Sequence, residues 1–398
     1  MSSNSPFRWI DSALDELQQK DLLREQRTCI PLPQGKCQLV DEHGAASDPF
    51  WNFATNDYLG LAGHPRVIAA AEAATRKYGA GARSSPLVTG RTPLYAQLEQ
   101  QLAEFKQTEA ALLFPTGFAA NVGTIASLVG TGDVVLCDRL NHASLIDGCR
   151  LSKAVLRVYP HGDVDVVRRE LAKVPEGRRK LIVTDSLFSM DGDAAPLSDL
   201  ISAAEEFGAM LLVDEAHATG VFGKRGTGLL EDCPHSEHVI AVGTLSKALG
   251  AQGGFVAGSR KVVDWVFNNA RPQIFSTALT PAACAAASAA IQYVEEFCEM
   301  REELLNWSRH LASSLRQQGW NVPPSVCGPI VPLIVGESSQ AVDYAARLRD
   351  MGCLVPAIRP PSVPHNTARL RISLSHAHGP EGVDALIAAL SKIRMGEE

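Results

Sequence analysis

Several features that would place a protein in a specialised class are missing from this sequence of 398 residues. It has no stretch of about eighteen apolar residues, so no transmembrane helix is predicted. The amino terminus, MSSNSPFRWIDSALDELQQKDLLREQR, lacks the apolar segment of a signal peptide and is typical of a charged amphipathic helix. Nine cysteines occur without a CxxC pair. They predict buried thiols, not disulfides or zinc ligands. We therefore expect a cytoplasmic protein without a metal site.

An excess of positive charge is also missing. The chain has 44 acidic and 37 basic residues and a formal net charge of -7, with no basic run. This balance argues against nucleic-acid or anionic-membrane partners, which favour a basic face. The length and the 45% apolar content permit a large core, divided between one large and one smaller domain.

Apolar runs alternate with helical patterns through the middle of the chain. Strands are predicted at 110–114, 134–137, 154–158, 181–184, 210–213, 239–242 and 254–258. Helices are predicted at 65–78, 93–106, 164–174 and 197–207. Continuous apolar strands between helices indicate an α/β fold with a mostly parallel sheet and helices on both faces.

A different pattern follows this region. A long helical region is predicted at 281–318, then a strand at 330–335, a helix at 340–351, and strands at 354–358 and 369–373. We therefore expect an amino-terminal helix and short β segment at 1–50, a large domain at 51–280 and a smaller α+β domain at 281–398. Residues 79–92, GAGARSSPLVTGRT, are predicted to form a long flexible loop, which is usually functional or disordered.

A lysine and an aspartate each follow a predicted buried strand. Lys247 lies in GTLSKALGAQGG, where small residues permit close approach and burial would favour the neutral, nucleophilic amine. Asp214 ends the apolar run AMLLVD, at the carboxyl end of a strand, where parallel sheets place ligand-contacting groups. Pyridoxal 5'-phosphate (PLP) requires a lysine for its Schiff base and a carboxylate for its pyridine nitrogen. These two residues supply both, although an isolated lysine in such a turn is usually an ordinary surface residue.

Other polar or glycine residues are predicted at the same sheet edge. The amides at the start of a helix can bind phosphate, an imidazole can stack on a pyridine ring, and a hydroxyl can donate to phosphate. The candidate residues are Gly117, Phe118, His142, Ser189, His217 and Thr244. For Gly117 and Phe118 alone, an ordinary turn is at least as good an interpretation, and a lone histidine after a strand is more often structural.

Short motifs in the sequence also resemble those of two other classes of enzyme. The tetrapeptide DEAH occurs in helicases, but the chain has no GxxxxGK[ST] loop to accompany it. Asp185, Asp191 and Asp193, together with DEAH, could suggest a metal-dependent hydrolase. They lack the ligand spacing of a metal site, so the aspartates of the DGD segment are interpreted as turn residues.

Seven motifs, spread over nearly the whole chain, resemble those of the α-oxoamine synthases, a family of fold-type-I PLP enzymes. They are NDYLGL (56–61), TGFAAN (116–121), DRLNHASL (138–145), FSMDGD (188–193), VDEAHATG (213–220), TLSKALG (244–250) and AIRPPSVPHNTARLRISL (357–374). The last, with GPIVPLIVG before it, is similar to the branch that condenses L-alanine with a pimeloyl thioester in biotin biosynthesis.

The resemblance implies a role for each candidate residue. Lys247 binds PLP covalently, Asp214 pairs with the pyridinium nitrogen and His142 stacks on the ring and contacts substrate. His217 bonds the phenolic oxygen, while Ser189, Thr244 and the amides of Gly117 and Phe118 contact the cofactor. Arg24, Ser362 and Arg371 match substrate-contacting positions. Arg371 corresponds to an arginine that binds an amino-acid carboxylate, a role that suits the bidentate guanidinium; the alternative for Arg371 is an exposed charge on a strand.

The resemblance also leaves alternatives open. Tyr95 lies near the position of a family histidine, and GAGARSSP is less glycine-rich than in relatives, so the choice of acyl chain is uncertain. Glycine acetyltransferase, 5-aminolevulinate synthase and serine palmitoyltransferase activities remain alternatives, as does a non-catalytic binding protein. A homodimer is implied, with coenzyme A or an acyl carrier protein as the carrier of the acyl group.

Overall fold

The computed structural model describes residues 5–20, 22–24 and 26–396. The helices are α1 Arg8–Gln19, α2 Pro65–Tyr78, α3 Pro93–Phe105, α4 Gly117–Leu128, α5 Ala143–Leu151, α6 Val164–Ala172, α7 Leu197–Phe207, α8 Arg260–Asn269, α9 Arg271–Ile274, α10 Pro281–Glu296, α11 Glu299–Gln317, α12 Ser338–Asp350 and α13 Gly379–Met395. The strands are β1 Thr28–Leu32, β2 Lys36–Val40, β3 Phe50–Asn52, β4 Ala110–Phe114, β5 Val134–Asp138, β6 Val155–Tyr159, β7 Lys180–Asp185, β8 Met210–Asp214, β9 Val239–Thr244, β10 Gly254–Gly258, β11 Ile330–Gly336, β12 Cys353–Leu354, β13 Ala357–Ile358 and β14 Ala368–Ser373.

The chain groups into two compact units by its internal contacts. The larger unit comprises residues 56–306, and the other joins residues 1–55 to residues 307–398. The division into domains at 1–50, 51–280 and 281–398 stays a prediction. By contacts, the amino-terminal segment groups with the carboxyl-terminal one, while α10 groups with the larger unit.

The larger unit is built on a seven-stranded sheet in the order β4-β10-β9-β8-β7-β5-β6. The pairs β5–β6, β5–β7, β7–β8 and β8–β9 are parallel, and β10 runs antiparallel to both β4 and β9. The predicted mostly parallel sheet is therefore confirmed, with β10 as its one reversed strand.

Apolar residues cover both faces of this sheet because successive side chains of a strand point to opposite faces. In β8, Leu212 packs in a core cluster with Ile125 of α4 and Val266 of α8. Its neighbour Leu211 packs in a second cluster with Leu200 of α7. Helices therefore cover both faces, which explains why the strands are continuous apolar runs in the sequence.

Short polar residues followed by proline or glycine fix where several helices begin. Thr92 and Thr280 each precede a proline, and their side chains accept hydrogen bonds from Tyr95 N and Ala283 N. Thr116 caps α4 in the same way. The cap satisfies a free amide of the first turn, and proline suits the first helical position.

The other unit contains a four-stranded sheet, β1-β2-β3-β12, and a three-stranded sheet, β11-β14-β13. The single strand predicted at 354–358 is wrong. Leu354 ends β12, which pairs with β3, whereas Ala357 begins β13, which pairs with β14. Pro356 lies between them and has no amide hydrogen to continue a ladder, so the chain passes from one sheet to the other there.

The structure adds detail to two other predictions of local structure. The helical region predicted at 281–318 is confirmed and consists of two helices, α10 and α11, separated by Phe297 and Cys298. Residues 79–92 contain a turn of π-helix, Pro86–Gly90, in which Gly90 N donates to Ser85 O at 2.9 Å. The helix predicted within residues 1–27 is α1; residues 1–4, 21 and 25 lie outside the described residues.

Candidate active site

A cleft lies at the edge of the sheet where the parallel strands end. Its volume is about 190 Å³, and its lining residues follow β4, β5, β7, β8 and β9. They are Thr116, Gly117, Phe118, Asn121, His142, Ser144, Asp185, Asp214, Ala216, His217, Thr244, Ser246 and Lys247. Seven of the eight residues predicted at this edge from the sequence therefore border one cleft.

Lys247 is the first member of a hydrogen-bonded chain. Its Nζ lies 2.7 Å from Nε2 of His217, and Nδ1 of His217 lies 2.6 Å from the hydroxyl of Tyr58. Tyr58 in turn donates to Asn56 Oδ1 at 3.4 Å. Because Tyr58 and His217 are buried, the half-buried amine is held by a hydrogen-bonded pair that is shielded from solvent.

Asp214 belongs to a second network. Asn121 donates from Nδ2 to Asp214 Oδ2 at 2.6 Å and to Ser144 Oγ at 2.8 Å. The amide of Ala216 donates to the other oxygen, Asp214 Oδ1, at 2.8 Å. Each carboxylate oxygen thus accepts a hydrogen bond, which fixes its direction within the cleft.

This network also sets the tautomer of His142. Ser144 Oγ accepts from Asn121, so its own proton is available to His142 Nδ1, which lies 2.7 Å away. The amide of Ser144 donates to the same nitrogen at 3.3 Å. With Nδ1 as acceptor, the proton of the neutral ring is on Nε2. Desolvation lowers the pKa of His142, opposed by the charge of Asp214 and assisted by that of Lys247, so the neutral ring is favoured.

Asp185 anchors the backbone of His142. The amide of His142 donates to Asp185 Oδ2 at 2.7 Å. Asp185 is register partner to Asp214 across β7 and β8. Burial, and then the charge of Asp214, raises the pKa of Asp185 well above its ordinary value. The neutral form of Asp185 is therefore favoured, because two buried like charges side by side are costly.

The start of α4 meets the end of β9 at the other side of the cleft. A Cβ on Gly117 would lie 3.1 Å from Thr244 Cβ, a tight contact, so glycine lets the start of α4 approach the end of β9 closely. Thr244 Oγ1 donates to Gly253 O at 2.9 Å and lies 2.8 Å from Ser246 Oγ. Ser246 is exposed to the cleft, and its hydroxyl adds a donor beside the free amides of the first turn of α4.

These residues fit PLP. The cleft offers an amine at Lys247, a fixed carboxylate at Asp214 and the first turn of a helix with adjacent hydroxyls for a phosphate. In addition, Asn121 Oδ1 is a buried acceptor with no hydrogen-bond partner among the described residues. The donor set therefore matches an aldehyde, a pyridine nitrogen and a phosphate on one small molecule.

The remaining predicted site residues lie elsewhere in the fold. Ser189 is half-buried in the loop between β7 and α7, four residues beyond Asp185. In the other unit, Arg24 and Ser362 line one cavity of about 90 Å³ with Arg359. Arg371 is 6% exposed in β14, so the alternative of an exposed strand charge is wrong.

Sequence reasoning missed several members of the site, namely Tyr58, Asn121, Ser144, Asp185 as a partner of His142, and Ser246. Asn121 follows Gly117 by four residues on α4, a spacing that places both on one helix face and could have suggested it. Tyr58 gives no such signal, because its contact with His217 joins residues far apart in the chain.

The residues of DEAH have separate partners. Glu215 forms an ion pair with Lys106, and both side chains are buried. Over the described ranges, no group of three or more His, Cys, Asp or Glu side chains is placed to hold a metal ion. No described helix is long and apolar enough to cross a membrane.

Comparisons with known proteins match most of the chain. The family model for aminotransferase class I and II matches residues 48–390. An 8-amino-7-oxononanoate synthase of Anaeromyxobacter dehalogenans is 46% identical over 386 residues, covering 97% of this chain and 95% of the relative. That of Alkalilimnicola ehrlichii is 47% identical over 343 residues, covering 86% and 87%.

Two solved structures are also similar to this chain. A serine palmitoyltransferase of S. paucimobilis with bound PLP-myriocin aldimine is 30% identical, with a TM-score of 0.91, and covers 100% of this chain and 99% of its own. An 8-amino-7-oxononanoate synthase of Francisella tularensis is 27% identical, with a TM-score of 0.76, and covers 88% and 99%.

Proposed function

The chain belongs to the aminotransferase class I and II family, and from this premise we propose that it condenses L-alanine with a pimeloyl thioester. The products are 8-amino-7-oxononanoate, carbon dioxide and the free thiol. The name of the relatives that are 46–47% identical supports this reaction. The observation that carries it is the single cleft lined by Lys247, Asp214, His142 and His217. PLP is the cofactor, as in the PLP-bound neighbours.

Lys247 and Asp214 are the residues that would hold PLP, through its aldehyde and its pyridine nitrogen. When bound, PLP supplies an electron sink for the negative charge that develops on Cα of an amino acid. Lys247 Nζ is assigned as the base that removes the Cα proton of alanine. His217, 2.7 Å from Nζ, holds that amine in place and connects it to Tyr58.

His142 is assigned as the general acid for the acyl group. Its Nε2–H is available to donate to the thioester carbonyl oxygen, since Nδ1 is already occupied by Ser144. A neutral imidazole that donates in this way stabilises the negative charge that develops on that oxygen as the carbon–carbon bond forms.

The substrate carboxylates are assigned to arginines of the other unit. Arg371 suits the carboxylate of alanine, because its guanidinium is permanently charged and offers two parallel donors. Arg24 and Ser362, which line one cavity, are assigned to the pimeloyl group. The proposal includes a homodimer. It also includes a carrier of the pimeloyl group, which is either coenzyme A or a carrier protein.

Two measurements on the purified protein test this function. Borohydride reduction followed by peptide mapping should label Lys247, and Lys247→Ala should lose both the absorption band of bound PLP and turnover. The exposed Lys261→Ala is the matched control and should keep both. A label on another lysine, or turnover by Lys247→Ala, would contradict the assignment.

The substrates are tested by a matrix of amino acids and thioesters. Alanine, glycine and serine would each be offered with pimeloyl, acetyl, succinyl and palmitoyl thioesters, and we expect the highest kcat/KM for alanine with pimeloyl. A second candidate is condensation of serine with palmitoyl thioester, which the 30% identity to serine palmitoyltransferase over the whole chain favours. A higher kcat/KM for that pair would replace the first reaction by the second.

A further inference from the structure

His161 lies between two aspartates behind the cleft. Its Nδ1 is 3.1 Å from Asp138 Oδ1 and 3.2 Å from Oδ2, and its Nε2 is 2.9 Å from Asp193 Oδ2. Both ring nitrogens face carboxylates, which accept hydrogen bonds but donate none when ionised. Only the protonated imidazolium donates to both at once.

The surroundings of the ring favour this charged form. The hydrogen bond to Asp138, then that to Asp193, raises the pKa of His161 to about 10, against the effect of burial. The Asp138 side chain is 1% exposed and that of Asp193 is 18% exposed. The ring also packs edge-on against Phe188 at 4.4 Å between centroids.

Asp138 accepts hydrogen bonds from the start of the loop that carries His142. It ends β5, and its carboxylate accepts the amides of Leu140 and Gly162, each at 2.9 Å. His142 follows two residues after Leu140. The position of Asp138 therefore sets where this loop leaves the sheet.

Asp193 lies at the end of the loop that carries Ser189. Phe188 N donates to Asp193 O and Gly192 N donates to Phe188 O, each at 2.9 Å, so residues 188–193 close on themselves. Asp193 Oδ1 is buried with no hydrogen-bond partner among the described residues. His161 thus ties this closed loop to the end of β5.

We propose that His161 is a positioning residue, which joins the His142 loop (139–142) to the Ser189 loop (188–193) by bridging Asp138 and Asp193. It is not among the residues that line the cleft, and it acts through the two loops. The proposal rests on the proposed function in one respect, namely that His142 and Ser189 contact PLP. No role was assigned to His161 from the sequence motifs.

The test compares His161→Gln with Asp193→Asn and with the double variant. Glutamine removes the charge and one of the two contacts, and asparagine keeps the shape of the aspartate while removing its charge. Exposed His235→Gln and Asp199→Asn, the latter in the first turn of α7, are matched controls. Two readouts independent of turnover are used on apo protein, namely hydrogen–deuterium exchange of both loops and the dissociation constant of added PLP.

We expect His161→Gln to keep its circular dichroism, to exchange faster in both loops and to bind PLP about tenfold more weakly, the lower end of the effect of one lost charged hydrogen bond. Asp193→Asn should change in the same direction. The double variant should bind PLP no more weakly than His161→Gln, because both substitutions break the same bridge between the two loops. The controls should match the wild type.

Wild-type PLP affinity in both His161→Gln and Asp193→Asn would overturn the proposal, even with faster exchange, since the bridge would then be only structural. If His161→Gln fails to fold, Asp193→Asn decides by the same two measurements. Failure of the proposed reaction is distinguished separately. If the wild type binds PLP but does not condense alanine with pimeloyl thioesters, the proposed reaction is wrong. The exchange and PLP-affinity measurements still test the role of His161.

Discussion

Replacement of Asn121 by leucine perturbs the site without touching a residue assigned to the reaction. Asn121 is 1% exposed, and leucine has a side chain of the same branched outline, so no cavity is left beside α4. The change removes the donor 2.6 Å from Asp214 Oδ2 and the donor 2.8 Å from Ser144 Oγ. The carboxylate keeps one protein donor, the amide of Ala216.

The size of the effect follows from the charge of Asp214. A hydrogen bond to a charged group contributes about 1.5–3 kcal/mol. If that energy is lost from the orientation of the carboxylate toward the pyridine nitrogen, PLP affinity falls about 10- to 150-fold. The loss should appear in the dissociation constant of PLP, measured by titration of apo protein and followed by absorbance.

A control on the same helix separates this effect from packing. Thr124 is buried, and its Oγ1 has no hydrogen-bond partner among the described residues. Thr124→Val replaces that hydroxyl by a methyl group of similar size, so PLP affinity should be unchanged. A folded Asn121→Leu variant that binds PLP as tightly as Thr124→Val would refute the assignment of Asn121 to the support of Asp214.

Three further predictions concern buried polar groups. Tyr58→Phe removes the hydroxyl 2.6 Å from His217 Nδ1, and kcat/KM should fall about 3- to 10-fold in steady-state kinetics at unchanged PLP stoichiometry. Burial lowers the pKa of His378 from 6.5 to about 4, so only the unfolded chain binds its proton between these pH values. Stability should therefore fall by about 3 kcal/mol as pH drops from 6.5 to 4, and His378→Gln should flatten urea-unfolding data over this range. Lys106→Met leaves Glu215 as a buried unpaired charge and should lower the free energy of unfolding in urea by about 3–5 kcal/mol. The double variant Lys106→Met/Glu215→Leu should lower it by less.

Much of the fold was predictable because strand and helix periods are local. The predicted strand at 254–258 coincides with β10, and the predicted helices at 65–78 and 197–207 coincide with α2 and α7. A proline next to a capping residue fixes a helix start within one turn. The strand at 354–358 failed because an apolar run does not show which sheet each half pairs with.

The sequence by itself determined which residues meet at one edge of the sheet. Parallel strands in one sheet bring their carboxyl ends together, so residues following β4, β5, β8 and β9 had to meet once those strands were identified. Lys247, Asp214, His142 and His217 follow from that rule alone. Their motifs also identified the family.

Only the tertiary structure decided how those side chains are held. The contacts of Asn121 with Asp214 and of Tyr58 with His217 join residues 93 and 159 positions apart, and no local pattern encodes such a pair. The bridge of His161 is also non-local, because its two partners, Asp138 and Asp193, lie 23 and 32 positions away in the chain. Proton positions and loop positions depend on these distances of a few ångströms, which packing fixes and periodicity does not.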